Sequence, residues 1–452
     1  MSRRRIGLYR IDQEIRRGAI GTMYQARDEK GDLRALKILH PFLIQDRVRL
    51  EQALKGLIQG LREHPSPYVV PIIDANYDQD WDGLYVVYPW IERAISLDAL
   101  MQREGGRLSL DQVVRYLWRT LLALRAIQLA IGMHGALKLS NLILDGRGRF
   151  YVTDPGLAAA IYSTQSGWAP WELIGTSDYL APELIQNRAA GFITDLYALA
   201  AMAYHLLAGR PPFIYEDPVR RRQAHCEENP TPLSDVPEAF QRWLYQAMAK
   251  DPHQRFQAPE SAIEALGNIL LERGWAISFW LSEAYELHAL GESGLAMEHL
   301  ERILRVQPEH PEAQMLLERI RRSQSSEKET GEPVPKPVPE PPPSPPALML
   351  RDRSGQIFRL RGEGVIGRRS ASSPSPDVDL SSIDHGRYIS RRHARVWFQD
   401  GTWWIEVFSE TTNQTLLNGQ PLDRGCPHPL PDRSRLRVGD VELEVRWITE
   451  LE

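Results

Sequence analysis

Short runs in which apolar and polar positions alternate open the chain. "ALKILH" (35–40) and "GLYVVYPW" (83–90) read as strands of a small sheet, with one helical stretch, "RLEQALKGLIQGLREHP" (49–65), between them. From Ser96 to about Leu271 the apolar positions recur at three- and four-residue spacing, which predicts a mainly helical body. A β-rich lobe over about 8–91 followed by a larger helical lobe is an α+β, bilobal arrangement with a cleft between its halves. In 273–322, Trp280, Ala284 and Leu287 line one helix face and Ala296, Leu300, Ile303 and Leu304 line the next, with Pro308 as a stop. That pattern predicts a short αα-hairpin. Residues 323–346 lose nearly all apolar bulk and carry nine prolines from Pro333 to Pro346, so they cannot build a core. They read as an extended spacer, reaching roughly 3.1 Å per residue, or as a polyproline ligand. From 347 to 452 strands alternate again, "LMLRDR", "IFRLRG", "RVWFQD", "WWIEVF" and "VELEVRW", between turns rich in Gly, Asp and Asn. This predicts an all-β sandwich. The chain is multidomain, divided as 1–272, 273–322, 323–346 and 347–452.

Composition narrows the function classes. A net charge of −5 over 452 residues gives no global basic field for nucleic acid. The two cysteines, Cys226 and Cys426, lie in separate regions, which excludes a disulfide framework or a cysteine zinc site and fits a reducing, cytoplasmic setting. The longest apolar run, "LWRTLLALRAIQLAIGM", carries two arginines and is too amphipathic for a membrane span.

Several motifs of the first 272 residues resemble those of Ser/Thr protein kinases. "RRGAIGTMYQA" matches the glycine-rich loop through Gly18 and Gly21, with Arg16 at the first glycine position. Ala35 and Lys37 in "ALKIL" match the strand lysine motif, for which Glu51 is the candidate partner, and "YVVYPWIE" (85–92) matches the adenine hinge, with Tyr88 at the back of the pocket. "HGALKLSN" (134–141) matches the catalytic loop and Asp154-Pro155-Gly156 the metal-binding turn. The resemblance implies nucleotide contacts at Gly18, Gly21, Ala35, Lys37 and Lys138, and Mg-ATP held by Asn141 and Asp154. It implies structural roles for Glu183 paired with Arg255, and for Asp195 on the catalytic-loop backbone.

One position breaks the pattern. Where the family carries the catalytic aspartate this chain has Ala136, and Gly135 replaces the arginine that reads a phosphorylated activation segment. Asp178 is a candidate substitute base. The expectation is a pseudokinase with no catalytic residue at the base position.

In 347–452 the order Gly367-Arg368, Ser390-x-x-His393, Asn413-x-Thr415-x-x-Asn418 resembles the forkhead-associated (FHA) domain, and with it a bacterial signalling protein. A phosphothreonine brings nearly two negative charges and three acceptor oxygens. The resemblance assigns Arg368, Ser390 and Arg391 to the phosphate, Thr412 and Asn413 to the peptide backbone, and His393 to a structural role. Gln414 replaces the usual glycine. The resemblance to a tetratricopeptide repeat in 273–322 rests on Trp280, Ala284, Ala296 and Pro308; a helical extension of the preceding lobe is the other reading. Partners implied are a phosphothreonine-containing protein and the active Ser/Thr kinase that marks it, with no nucleic acid. An active kinase with a displaced base and an ATP-sensing regulator are the alternative functions.

Overall fold

The computed structural model describes residues 5–164, 177–330, 347–354, 356–360, 364–369, 376–383, 388–399, 402–409, 411 and 413–448. The chain divides into two compact units, Met1–Gln324 and Ser325–Glu452.

In the first unit β1 (Arg5–Ile6), β2 (Tyr9–Arg17), β3 (Gly21–Arg27), β4 (Leu33–Leu39), β5 (Asp74–Asp78) and β6 (Gly83–Pro89) form one antiparallel sheet in the order β1-β2-β3-β4-β6-β5. Helix α1 (Arg47–Glu63) lies between β4 and β5 in the chain. Its N–H groups are capped by Asp46, and Leu50, Leu54, Leu57 and Leu61 form its buried face. Gly60 allows the approach of a second helix: a Cβ there would lie 2.3 Å from the Ala130 carbonyl oxygen.

The larger lobe contains β7 (Ile95–Ser96), α2 (Leu97–Arg103), α3 (Leu110–Ile131), β8 (Leu142–Leu144), β9 (Phe150–Val152), α4 (Leu157–Ser163), α5 (Pro182–Ile185), α6 (Phe192–Ala208), α7 (Pro218–Glu227), α8 (Glu238–Ala247) and α9 (Pro259–Glu272). Helix α3 starts with a Ser109/Gln112 capping box and stops at Gly132, whose φ of 87° favours glycine. Both α3 and α6 run through the core. The β8–β9 hairpin places Asn141 just before it and Asp154 just after it. Among the described residues no helix is long and apolar enough to cross a membrane.

The segment expected as a helix pair holds three helices: α10 (Ala276–Ala289), α11 (Ser293–Val306) and α12 (Pro311–Thr330). Pro308 does end α11, but Pro311 sits in the first turn of the next helix, where a missing N–H costs nothing. Ala313, Leu316, Leu317 and Ile320 continue the apolar stripe and join the same core as α3. The segment packs on the helical lobe, which both readings of it allow. Helix α12 also runs on through "SQSSEKET", so the first residues of the expected spacer are helical; nothing in them breaks a helix before Gly331. The proline tract itself lies outside the described residues.

The seam between extension and lobe is charged and buried. Arg119 of α3 pairs bidentately with Glu283 of α10 at 2.8 and 2.9 Å, and also with Glu286. Arg115 reaches the same Glu283 at 3.1 Å, and the Tyr68 hydroxyl donates to it at 3.3 Å. Burial alone would push Glu283 up; Arg119 outweighs it and holds the carboxyl below its ordinary value. Nearby, Trp118 donates its indole N–H to His299 Nε2 at 2.9 Å.

The second unit is a two-sheet β-sandwich. Its strands are β10 (Ala347–Asp352), β11 (Ile357–Leu360), β12 (Gly364–Gly367), β13 (Val378–Asp379), β14 (Ala394–Gln399), β15 (Thr402–Val407), β16 (Thr415–Leu417), β17 (Gln420–Pro421), β18 (Pro427–Pro429), β19 (Arg435–Val438) and β20 (Val441–Ile448). They assemble as β11-β10-β20-β19-β16-β17 and β13-β12-β14-β15-β18. Period-two burial, clearest in β15 and β19, sends Trp403, Ile405, Leu436 and Val438 into one core with Leu348, Leu350, Ile366 and Leu443.

Candidate functional site

The turn after α3 is held from below by one carboxylate. The backbone N–H groups of His134 and Gly135 donate to the two oxygens of Asp195 at 2.6 and 2.9 Å. The His134 ring is fully buried; its Nε2 lies 2.9 Å from the Thr153 carbonyl oxygen, and its Nδ1 accepts from Ala136 N–H at 3.3 Å. That pair of contacts requires the neutral ring, and burial pushes its pKa down to about 4. Ala136 is 6% exposed. Helix α4 roofs the turn: Gly135 has φ of 83°, and a Cβ there would meet the Ala159 Cβ at 3.1 Å. A longer side chain at 135 would be strained by its backbone and blocked by α4. Asn141, also buried, donates its amide to the Ala136 carbonyl at 3.2 Å.

Across the cleft, Lys37 of β4 forms an ion pair with Asp154 Oδ2, and the Tyr88 hydroxyl of β6 donates to Asp154 Oδ1 at 2.9 Å. All three side chains are buried. Burial alone would push the Asp154 carboxyl up, but the Lys37 charge and the hydrogen bonds from Lys37 and Tyr88 outweigh it and hold it below its ordinary value. Glu51 is elsewhere: it pairs with Arg47 one helical turn away, at 3.6 Å. The buried face of α1 is leucine throughout, so no carboxylate there meets Lys37. Lys138 is largely withdrawn from water, which lowers its pKa. Between β2 and β3, Gly18 N–H donates to the Gly21 carbonyl at 2.9 Å, and His40 Nε2 lies 2.8 Å from the Gly18 carbonyl oxygen. Gly21 is required by packing, since a Cβ would lie 2.2 Å from the Ile38 carbonyl oxygen. Ala35 pairs across the sheet with Tyr88.

Deeper in the lobe Arg255 grips Glu183 through two bonds of 2.7 and 2.8 Å, and Thr194 donates to the same carboxylate at 2.8 Å. Asp178, the candidate substitute base, is engaged by Arg221 at 2.9 Å.

At one end of the sandwich two turns abut. Arg368 N–H donates to the Ser390 carbonyl at 3.2 Å, and the approach is so close that a Cβ on Gly367 would lie 2.2 Å from the Arg391 carbonyl oxygen. This brings Arg368, Ser390 and Arg391 together. Arg368 is half-buried, and its Nε is buried with no hydrogen-bond partner among the described residues. His393 is fully buried: Nδ1 accepts from Ser390 N–H at 3.2 Å and Nε2 lies 2.8 Å from Thr415 Oγ1. Its backbone carbonyl accepts from Thr411 Oγ1 at 3.0 Å. Asn413 donates its amide to the Tyr388 carbonyl at 2.8 Å, which fixes the loop carrying Ser390. Thr412 lies outside the described residues. Tyr88 and Thr415 stood in the sequence motifs, but their hydroxyl partners, Asp154 and His393, could not be read there because they are set by tertiary distance.

Residues 9–265 match the protein kinase domain family, which is more than half of the chain. The chain belongs to the protein kinase family. Residues 364–439 match the FHA domain. Among curated kinases, a probable serine/threonine-protein kinase, pknA2, of Bifidobacterium longum is 30% identical over 234 residues, covering 51% of this chain and 30% of that protein. Serine/threonine-protein kinase PkaB of Streptomyces coelicolor is 31% identical over 272 residues, covering 57% of this chain and 62% of that one. The chain thus spans less than two thirds of either relative. The crystal structure of the Mycobacterium tuberculosis PknI kinase domain aligns at 21% identity with a TM-score of 0.47, over 58% of this chain and 96% of that one.

Set against the kinase family, the first unit keeps the scaffold ties of the lower lobe: Asp195 on the loop backbone and Glu183 on Arg255. Kinases of this family use Mg-ATP, in which the metal takes carboxylate and amide oxygens together with phosphates. The residues of this kinase unit, as arranged, do not fit that complex. Lys37 is turned to Asp154 rather than toward a phosphate, a metal on Asp154 would compete with the donors Lys37 and Tyr88, and among the described residues of α1 no glutamate meets Lys37.

Proposed function

We propose that this chain reads phosphothreonine and does not write it: its kinase unit is a non-catalytic body, and its FHA domain binds a partner that an active Ser/Thr kinase has phosphorylated. The observation that carries this reading is Ala136, a buried methyl group at the base position. A kinase works by positioning and charge stabilisation, with a carboxylate to accept the hydroxyl proton. Ala136 supplies none, and Asp178 is held by Arg221. The relatives' names favour the other reading, an active Ser/Thr kinase, and the transfer of labelled phosphate separates the two. A nucleotide-sensing regulator would need Lys37 to turn from Asp154 to a phosphate.

On the reader side, Arg368 offers a half-buried guanidinium beside the Ser390 turn, which is the chemistry a phosphate dianion requires. Isothermal titration of the full chain with matched phosphothreonine and unphosphorylated peptide libraries tests it. The phosphorylated library should bind and the plain one should not. Arg368→Ala should abolish binding with the circular-dichroism spectrum unchanged; unaltered affinity would refute the site.

A further inference from the structure

We propose that Lys37, Tyr88 and Asp154 form a structural lock that stands in place of bound nucleotide, so that the kinase unit is complete with its cleft empty of ATP. The inference rests on the non-catalytic reading of that unit. Lys37 and Tyr88 lie on neighbouring strands of the upper sheet, while Asp154 follows β9 of the lower lobe. Their contacts therefore tie the two lobes together across the cleft, out of water.

Asp154 is pinned on both sides in sequence. Ahead of it, Val152 N–H donates to the Tyr68 carbonyl at 2.7 Å and Val70 N–H donates to the Val152 carbonyl at 2.9 Å. Behind it, Gly156 has φ of 70° where α1, α3 and α4 meet: a Cβ there would lie 2.5 Å from Ile131 Cδ1 and 2.8 Å from Leu57 Cδ1. Asp154 itself has φ of 57°, the left-handed conformation that aspartate adopts more readily than most side chains. For a triphosphate to take Lys37 its buried ion pair with Asp154 must open, and a metal on Asp154 must compete with the donors already on its two oxygens. The leucine face of α1 offers no second partner to either group.

The test is thermal unfolding of the full chain, with and without millimolar Mg-ATP, on the natural protein and on Lys37→Met, Asp154→Asn, their double variant and Tyr88→Phe. The lock predicts no shift with Mg-ATP. Each of the two charge variants should lower the kinase unit's own Tm by roughly 5–10 °C, and the double variant should lose less than their sum. Tyr88→Phe, the mildest change, should lower Tm by a smaller amount. A rise in Tm with Mg-ATP that Lys37→Met removes, while leaving the nucleotide-free Tm in place, would overturn the lock. A chain that binds Mg-ATP but transfers no phosphate sinks this inference alone; one that transfers phosphate sinks the non-catalytic reading as well.

Discussion

At Ala136, where the kinase resemblance expects the base, the surroundings favour the proposed non-catalytic reading. The residue is buried, its N–H is spent on His134 Nδ1 and its carbonyl on Asn141. Ala136→Asp should therefore fail to restore phosphoryl transfer. It should also lower stability by about 2–4 kcal/mol in a urea titration, because a carboxylate is forced into a buried position. A second residue-scale consequence concerns pH. Burial lowers the pKa of His134 to about 4 and of His225 to about 3, against about 6.5 in the unfolded chain. Between those values the unfolded chain binds protons that the folded one refuses, so stability falls as pH drops from 6.5 toward 4. Asp195 works the other way: burial pushes it up to about 7, so the folded state holds its extra proton below that pH. Asp195→Asn should remove the opposing contribution and steepen the acid loss, measured as the urea midpoint at pH 7, 6 and 5. The alanine and the flanking loop residues could be read directly from the chain. The roof over them could not, since nothing in "LAAAIYS" marks the loop on which it packs.

At the scale of elements, α1 and the C-terminal helices carry the account. The helix of α1 was legible in the sequence, but Glu51, the candidate partner of Lys37 there, pairs with Arg47 instead. Partner choice across the cleft was not legible, because it depends on how β4 and β9 approach. For 273–322 the stripe of Trp280, Ala284, Ala296 and Leu300 was visible, but its destination was not. The repeat pattern and the lobe-extension pattern share the same periodicity, so the charged partners at the seam could not be read from either. Glu283 is where the seam's contribution can be measured. Glu283→Gln should destabilise the first unit by about 3 kcal/mol, because Arg119 loses its bidentate, fully buried partner and keeps only Glu286, which is partly exposed. A chain ending at residue 272 should expose the Trp118 face of α3 and fail to give a monodisperse folded product on size exclusion. A stable, monomeric 1–272 fragment would show that the extension is dispensable.

Across the whole molecule, a body with a kinase scaffold and an FHA sandwich are joined in one chain. Both folds were legible because each is specified by several motifs in order, and strand alternation and helix spacing agree with them. The functional division was legible only in part: a missing carboxylate can be seen in a sequence, whereas the closure of the cleft by its own side chains cannot. The central claim is that this chain reads phosphothreonine without making it. Incubating the full chain with radiolabelled ATP, magnesium or manganese, and a general Ser/Thr kinase substrate tests it most directly. The expected result is no label in the chain or the substrate above that of the Lys37→Met variant. Robust labelling by the natural chain that disappears in Asp154→Ala would contradict it.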